Sequence, residues 1–164
     1  MRNIRAVALD VDGVLTDGTF WWGANGEEFK RFSFADVMGV SLARKAGLLV
    51  TLISGEDSPL VDRYAAKMGL TDYAKGCKDK AAALRAFAER NALDLHEIAF
   101  MGDDVNDVAA LSICGLPACP ADAQPAAAEW ASFVSKRPGG SGAVRELVDA
   151  ILAARSIPLS AKGA

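Results

Sequence analysis

Short apolar runs alternate along this chain with stretches of helical spacing. Residues 48–53, with Thr51 as the one polar residue, and residues 98–101 are short apolar runs, as expected for parallel strands that are buried on both faces. Between them a helix is predicted to begin at Pro59, since Ser58 is a good N-cap and proline is favoured at the first helical position. Strands that alternate with helices form right-handed βαβ units. We therefore predict an α/β fold with a doubly wound parallel sheet.

The chain is predicted to form one domain, residues 1–155, followed by a loose tail, residues 156–164. The predicted strands are residues 4–11, 48–53, 73–74, 98–101, 116–119 and 132–134, and the predicted helices are residues 36–46, 59–68, 78–91, a segment that ends near residue 112, 124–129 and 143–154.

A β-hairpin is predicted to project from this domain at about residues 17–34. Asn25 and Gly26 lie between two aromatic runs, which is a strong hairpin signal. The segment carries Phe20, Trp21, Trp22, Phe29, Phe32 and Phe34. So much aromatic surface is not left in water, so either the arm folds onto its own core or a second copy of the chain covers it.

Composition excludes several classes of partner. The net charge is −3 and the sequence has no basic stripe, which argues against nucleic acid. No apolar run approaches membrane length, and the N-terminal apolar run contains two aspartates that a signal peptide would not tolerate. The odd number of cysteines, Cys77, Cys114 and Cys119, without metal-binding spacing, is typical of reduced thiols in the cytoplasm.

Two aspartates follow the first predicted strand. Residues two apart in a strand point to the same side, so Asp10 and Asp12 emerge together. Their charges repel unless a cation lies between them, and carboxylate oxygens suit Mg²⁺. One carboxylate can then serve as a nucleophile and the other as general acid and base. The alternative is that both merely cap the strand and solubilise its end.

Polar residues also follow two later strands, Ser54 after one and Asp103 after the other. Ligands of parallel sheets bind outside the carboxyl ends of the strands, so these residues are expected to share one crevice with Asp10. Asp103 is the natural third metal ligand. Asp104 and Asp107 either ligate the metal, support its ligands or cap the following helix.

Ser54 and Lys80 complete a site suited to phosphoryl transfer. The Ser54 hydroxyl and backbone N–H groups around Gly55 can hold a phosphoryl oxygen. Lys80 begins a predicted helix, where a cation gains from a facing anion, although Lys78 competes for the role. A carboxylate would attack phosphorus, and water would then hydrolyse the aspartyl-phosphate. Ser54 could instead be an ordinary turn serine.

These residues resemble the haloacid dehalogenase superfamily of phosphatases. The motif D-V-D-G-V-L-T-D from Asp10, then Ser54, Lys80 and G-D-D-x-x-D from Gly102, match its four motifs in order. The resemblance implies that Asp10 is the nucleophile and Asp12 the general acid and base. It also implies Mg²⁺ held by Asp10, the Asp12 backbone carbonyl and Asp103.

Within this superfamily the chain is similar to the 3-deoxy-D-manno-octulosonate 8-phosphate phosphatase family and its nine-carbon relatives over residues 4–155. The shared features include G-x-x-x-K from Gly76 and G-G-x-G-A-V-R-E from Gly139. The resemblance implies a phosphorylated sugar acid as substrate, no cap domain and a homotetramer. The spacing agrees, since no insertion is long enough for a separate cap, and a neighbouring chain could exclude water from the phosphoenzyme.

The second motif departs from the eight-carbon enzymes, which usually have Thr-Gly-Arg. Here Glu56 follows Ser-Gly, and Arg63 and Lys67 follow it, a pattern similar to the nine-carbon group. Arg63 and Lys67 could pair with a substrate carboxylate while Glu56 accepts from a sugar hydroxyl or amine. Alternatively, all three form a solvated helix face with local ion pairs.

A receiver-type signalling domain is the competing functional class, since it is also doubly wound and also uses acids, a hydroxyl and a lysine. Its phosphorylated aspartate follows a third strand. No suitable lone aspartate follows residues 48–53, and the order D-x-D-G disagrees with that class.

Overall fold

The computed structural model describes residues 1–156 and shows one five-stranded parallel sheet, a two-stranded hairpin and six α-helices. The predicted tail lies, from residue 157 onward, outside the described residues. The strands are β1 (Ala6–Leu9), β2 (Trp21–Trp22), β3 (Glu28–Phe29), β4 (Leu49–Leu52), β5 (Ile98–Met101), β6 (Leu116–Cys119) and β7 (Phe133–Val134). The α-helices are α1 (Phe34–Lys45), α2 (Pro59–Met68), α3 (Lys80–Arg90), α4 (Val108–Leu111), α5 (Pro125–Ala128) and α6 (Ala143–Ala154).

The strand order β4-β1-β5-β6-β7 confirms the predicted doubly wound sheet. The order reverses beside β1, because the chain first adds β4 on one side and then β5, β6 and β7 on the other. Leu9 pairs in register with Leu52 of β4 and Met101 of β5. These three strands therefore end at one level, and the residues that follow them meet at the switch point where such sheets bind ligands.

Alternate residues of the sheet fill two core layers. Val7 and Leu9 pack with α1, α2 and α6, whereas Ala6 and Ala8 pack with α3, α4 and α5 on the opposite face. Both faces of the central strand are thus covered, which accounts for its unbroken apolar run. Only the hairpin is inserted between β1 and α1, and the described chain contains no cap domain, as predicted.

Some element boundaries differ from the sequence prediction. Helix α1 begins at Phe34 rather than at residue 36, because the Ser33 hydroxyl accepts a hydrogen bond from the Ala35 N–H and caps it. Helix α3 begins at Lys80 rather than at residue 78, because the Asp79 carboxylate caps it at the Ala82 N–H. In place of the strand predicted at residues 73–74, the structure has a single β-bridge between Ala74 and Ile53, the residue that follows β4.

Asp36 joins the first and last helices. Its buried carboxylate accepts hydrogen bonds from the backbone N–H groups of Gly142 and Arg145, each at 3.0 Å. These groups lie at the start of α6, where helix N–H groups lack partners within the helix. The side chain therefore caps α6 from α1 and fixes the loop that precedes α6.

The hairpin lies against α2 through one aromatic contact. Strands β2 and β3 are antiparallel, with Trp21 opposite Phe29. The Phe32 ring stacks on Tyr64 of α2, with ring centroids 4.5 Å apart. The other aromatic residues of the segment stay exposed, namely Phe20, Trp21, Trp22, Phe29 and Phe34. The arm thus covers only a small part of its aromatic surface with its own chain.

None of the helices in the described part of the chain is both long enough and apolar enough to cross a membrane.

Candidate active site

A single buried lysine is shared by two buried carboxylates, one directly after β1 and one in the helical turn that follows β5. The Lys80 ammonium lies 2.9 Å from Asp10 Oδ1 and 2.6 Å from Asp107 Oδ1. All three side chains are almost completely removed from water. Lys78 is exposed, so the structure brings Lys80 to the strand ends and leaves Lys78 on the rim of the crevice.

Asp103 adds a third carboxylate to this group. Oxygens of Asp10, Asp103 and Asp107 lie within 4.8 Å of one another. Burial and the Asp107 charge raise the pKa of Asp10 well above its ordinary value, and the same two causes raise the pKa of Asp103 to about 7. Burial lowers the pKa of Lys80, but the carboxylates outweigh it and the net shift is upward. We call Asp10, Asp103, Asp107 and Lys80 the carboxylate cluster. It contains three carboxyl groups and one ammonium group.

The cluster fits a divalent cation. Asp103 Oδ1 is buried and has no hydrogen-bond donor among the described residues. Asp107 is different, because Oδ1 contacts Lys80 and Oδ2 accepts hydrogen bonds from the N–H groups of Asp103 and Asp104. Asp10 and Asp103 therefore have oxygen atoms free for a hard cation, whereas Asp107 holds the lysine and the turn in place.

Gly13 allows the loop after Asp12 to pass over Asp103. Its φ is +85°, and a Cβ atom there would lie 2.1 Å from Asp103 Oδ2. Any side chain at this position would therefore collide with a carboxylate of the cluster. Gly139 packs on the same loop, since its Cβ would lie 1.9 Å from the carbonyl oxygen of Gly13. The loop is therefore held from both sides.

Ser54 follows β4 at the same edge of the sheet, after Ile53. It is 1% exposed, and its hydroxyl accepts a hydrogen bond from the Glu56 N–H at 3.2 Å. The wall of the crevice at this point is formed by Gly55 and Glu56. The crevice has a volume of about 510 Å³ and is lined by Asp10, Asp12, Gly18, Gly55, Glu56, Cys77, Lys78, Lys80, Asp103, Asp104, Val105 and Asn106.

Asp104 caps the turn after β5. It is exposed, and its Oδ1 accepts a hydrogen bond from the Val105 N–H at 2.6 Å. Of the two acids whose roles were left open, the structure thus places Asp107 inside the cluster and Asp104 at the rim.

Lys30 is a site residue that the sequence interpretation missed. Its ammonium lies 2.8 Å from Asp12 Oδ1 and 2.8 Å from Glu56 Oε2. It comes from the hairpin, just after β3, and its side chain is only 4% exposed. The sequence shows a lysine in an aromatic segment, between Phe29 and Phe32. The neighbouring residues do not indicate which carboxylates its ammonium contacts.

Arg63 and Lys67 lie on α2, outside the crevice that contains the carboxylate cluster. Arg63 lines the cleft beside the hairpin, and the Lys67 ammonium lies 5.5 Å from the centre of the Phe34 ring. Glu56 pairs with Lys30, and within the described residues Arg63 and Lys67 form no ion pair. Arg63 and Lys67 are exposed on α2, as in the alternative of a solvated helix face, but the local ion pairs of that alternative are not formed by these two residues in the described part of the chain.

The sequence matches the haloacid dehalogenase-like hydrolase family over residues 57–147. A curated relative from Escherichia coli K12, 3-deoxy-D-manno-octulosonate 8-phosphate phosphatase, is 38% identical over 162 residues, which is 99% of this chain and 86% of the relative. The corresponding enzyme of Haemophilus influenzae is 36% identical over 155 residues, covering 94% of this chain and 86% of that one.

Solved structures match the fold closely. The phosphatase of Moraxella catarrhalis, solved with magnesium, phosphate and KDO, superposes with a TM-score of 0.92 at 30% identity, over 94% of this chain and 89% of that one. The cobalt-bound phosphatase of Haemophilus influenzae gives 0.91 at 35% identity, over 94% and 91%. The chain therefore belongs to the haloacid dehalogenase-like hydrolases and, among them, to the 3-deoxy-D-manno-octulosonate 8-phosphate phosphatase family of phosphomonoesterases.

Proposed function

We propose that this protein is a magnesium-dependent phosphatase that removes the phosphate of a phosphorylated 2-keto-3-deoxy sugar acid. The observation that carries the proposal is the carboxylate cluster at the switch point of the sheet. There a buried Asp103 oxygen, close to Asp10, has no hydrogen-bond donor among the described residues. The names of the relatives support the substrate class.

Asp10, Asp103 and the backbone carbonyl of Asp12 would hold the metal. A bound magnesium ion would offset the repulsion between the carboxylates and balance charge on the phosphoryl oxygens. The magnesium and cobalt named for two relatives support this assignment. Asp107 would act indirectly, by fixing Lys80 and the backbone of Asp103.

Asp10 would carry out the first chemical step. One oxygen of its carboxylate would attack phosphorus in line, while the other would stay with the metal. The Lys80 ammonium, which contacts Oδ1, holds the carboxylate in place. The P–O bond to the sugar then breaks, and Asp12 gives a proton to the departing oxygen. The Ser54 hydroxyl, the N–H groups near Gly55 and the Lys80 ammonium would stabilise the charge on the other phosphoryl oxygens.

Water completes the reaction. Asp12, now a carboxylate, takes a proton from a water molecule as that water attacks phosphorus. The bond between phosphorus and the Asp10 oxygen breaks, which releases inorganic phosphate and restores both acids. Each of the two steps leaves the proton count unchanged.

The sugar acid would extend from the crevice toward α2. Glu56 lines both the catalytic crevice and the adjoining cleft, and Arg63 lines that cleft and the apolar pocket beyond it. Lys67 borders the far pocket. Two cations without ion-pair partners among the described residues are suited to a substrate carboxylate, and Glu56 is suited to a hydroxyl or amine.

The length of the sugar acid gives two candidate substrates. The curated relatives favour the eight-carbon 3-deoxy-D-manno-octulosonate 8-phosphate. Glu56, in place of the arginine usual at this position in that group, favours a nine-carbon sugar acid 9-phosphate.

Replacement of the proposed nucleophile tests the reaction. Asp10→Asn should reduce phosphate release from the eight-carbon substrate by about a thousandfold or more, because the amide cannot form the aspartyl-phosphate. Wild-type activity should depend on added Mg²⁺ and disappear with EDTA. The control is the unfolding curve of the variant, which should stay cooperative; near-normal turnover by a folded Asp10→Asn protein would refute the assignment.

Comparison of both substrates tests the specificity. If Glu56 selects the nine-carbon acid, Glu56→Arg should shift the ratio of kcat/KM toward the eight-carbon substrate by about tenfold or more, as expected for one charged contact. An unchanged ratio would show that Glu56 does not discriminate between the eight-carbon and the nine-carbon substrate.

We also propose a homotetramer in the cytoplasm. The exposed aromatic residues of the arm support assembly, and the free thiols of Cys77, Cys114 and Cys119 support a reducing compartment. A monomer by light scattering at micromolar concentration would refute the tetramer. The receiver-type alternative has no support, since the relatives named above are phosphatases.

A further inference from the structure

Lys30 joins the hairpin to two parts of the crevice. Its ammonium lies 2.8 Å from Asp12 Oδ1, 2.8 Å from Glu56 Oε2 and 3.5 Å from Glu28 Oε1. The side chain is 4% exposed, although the aromatic residues beside it on the hairpin are open to solvent. A lysine that loses its water on an otherwise exposed arm must be held by these carboxylates.

The charge balance around Lys30 limits what it can do. One ammonium faces carboxylates from three elements: the loop after β1, the strand β3 and the loop after β4. Burial lowers the pKa of Lys30, but Asp12 and Glu56 outweigh it, so the amine stays charged. Its charge is more than neutralised, so it is not a free cation for the phosphate or carboxylate of a substrate. Arg63 and Lys67 are better placed for that.

The two strongest partners of Lys30 have different proposed tasks. Asp12 is the general acid and base, and Glu56 lies where the crevice opens toward the sugar cleft. A general acid must lie within hydrogen-bond reach of the oxygen that receives its proton. Asp12 is half-buried, and Lys30 is the ion-pair partner that its carboxylate has among the described residues. The direction of this carboxylate therefore depends on the arm.

We propose that Lys30 is a positioning residue that also couples Asp12 to Glu56. Its ammonium donates to Asp12 Oδ1, which leaves Oδ2 to carry the proton and to face the leaving oxygen. The inference rests on the proposed function, since it needs Asp12 as the proton donor. Lys30 touches no reacting atom in this scheme. It acts by limiting the rotation of one side chain, and Glu56 limits the movement of Lys30 in turn.

A pair of aryl phosphates separates this role from substrate binding. Phenyl phosphate and p-nitrophenyl phosphate are similar in size and lack the sugar acid, but p-nitrophenolate leaves without a proton far more readily than phenolate does. The quantity measured is the ratio of kcat/KM for p-nitrophenyl phosphate to kcat/KM for phenyl phosphate, which reports the step in which the leaving group departs.

We expect Lys30→Met to raise this ratio about tenfold, because poor positioning of the acid harms only the leaving group that needs a proton. Lys30→Arg, which keeps the cation, should restore most of the wild-type ratio. Glu56→Gln should raise the ratio in wild-type protein but leave it unchanged in Lys30→Met, which is the signature of coupling through Lys30.

Arg31→Met is the matched control. Arg31 is the next residue of the arm, and it binds Asp17 and Ser141 at the base of the hairpin rather than residues of the crevice. Loosening the arm through Arg31 should lower both kcat/KM values together and leave their ratio unchanged.

Several results would overturn the proposal. An unchanged ratio in Lys30→Met, the same rise in Arg31→Met, or no rescue by Lys30→Arg would each show that Lys30 only anchors the arm. Failure of the proposed substrate is a separate result: wild-type protein would then hydrolyse the aryl phosphates but not the sugar acid phosphates, and the Lys30 comparison could still be made.

Discussion

The carboxylate cluster and the hairpin arm place charged groups by opposite means. In the cluster, Lys80 is 2% exposed and is held by strand ends and a helix start that the sheet brings together. On the arm, the Lys30 side chain is 4% exposed, although the two strands that precede it are largely open to solvent. The cluster is fixed by the core, whereas the arm is fixed by the ion pairs of Lys30 and by the stacking of Phe32 on Tyr64.

This difference teaches which residues tolerate change. Removing the positive charge of the cluster leaves buried carboxylates without a cation, which lowers the free energy of unfolding strongly. Removing an exposed side chain from the arm leaves the core intact, so its effect should appear in assembly or in catalysis rather than in folding. The comparison can be tested at three levels of expected effect.

The largest effect is expected for Lys80→Met. Without metal, the buried carboxylates of Asp10 and Asp107 lose their shared cation, and the free energy of unfolding should fall by about 3–5 kcal/mol. Urea unfolding in EDTA measures this loss. Lys78→Met is the matched control, since Lys78 is exposed, and it should stay within about 0.5 kcal/mol of wild type. Equal and small losses in both variants would mean that the cluster does not depend on Lys80.

A smaller effect is expected for Gly13→Ala, with Gly26→Ala as its partner. Both glycines have positive φ, +85° and +86°, so both variants pay a similar backbone strain of about 1–2 kcal/mol. Only Gly13 has the Asp103 carboxylate where the new methyl group would lie, whereas Gly26 has no atom within 4 Å. Gly13→Ala should therefore also raise the Mg²⁺ concentration that gives half-maximal activity, by about 10–100-fold.

The Mg²⁺ concentration that gives half-maximal activity is the measurement for this pair. Gly26→Ala should leave it near the wild-type value. If both variants shift this concentration alike, backbone strain alone explains the result, and the contact between Gly13 and Asp103 does not affect the use of Mg²⁺.

The smallest effect on folding is expected for Trp22→Ser. Trp22 is 72% exposed, so the free energy of unfolding should change by about 0.5 kcal/mol or less. If the arm lies in the proposed tetramer interface, light scattering should show smaller assemblies than in wild type. Trp130→Ser, which removes a half-exposed tryptophan outside the arm, should leave the mass unchanged. A loss of several kcal/mol in Trp22→Ser would show that the arm belongs to the folding core.

Much of the cluster could be predicted because each of its residues lies beside a strong local signal. Asp10 directly follows the last residue of β1, and Asp103 lies two residues after the end of β5. Parallel strands bring such ends together. The prediction could not divide the tasks of Asp104 and Asp107, since both fit a helix start. That division depends on which carboxylate reaches Lys80, a contact between separate elements.

The sequence by itself determined the order of strands and helices, the position of each acid at a strand end and the hairpin, because periodicity, caps and turn residues act over a few neighbouring positions. The tertiary structure alone decided that Lys30 reaches Asp12 and Glu56, and that Gly13 lies against Asp103. These contacts join residues from different elements. Their geometry follows from how the arm and the loops pack on the finished sheet, which no local pattern records.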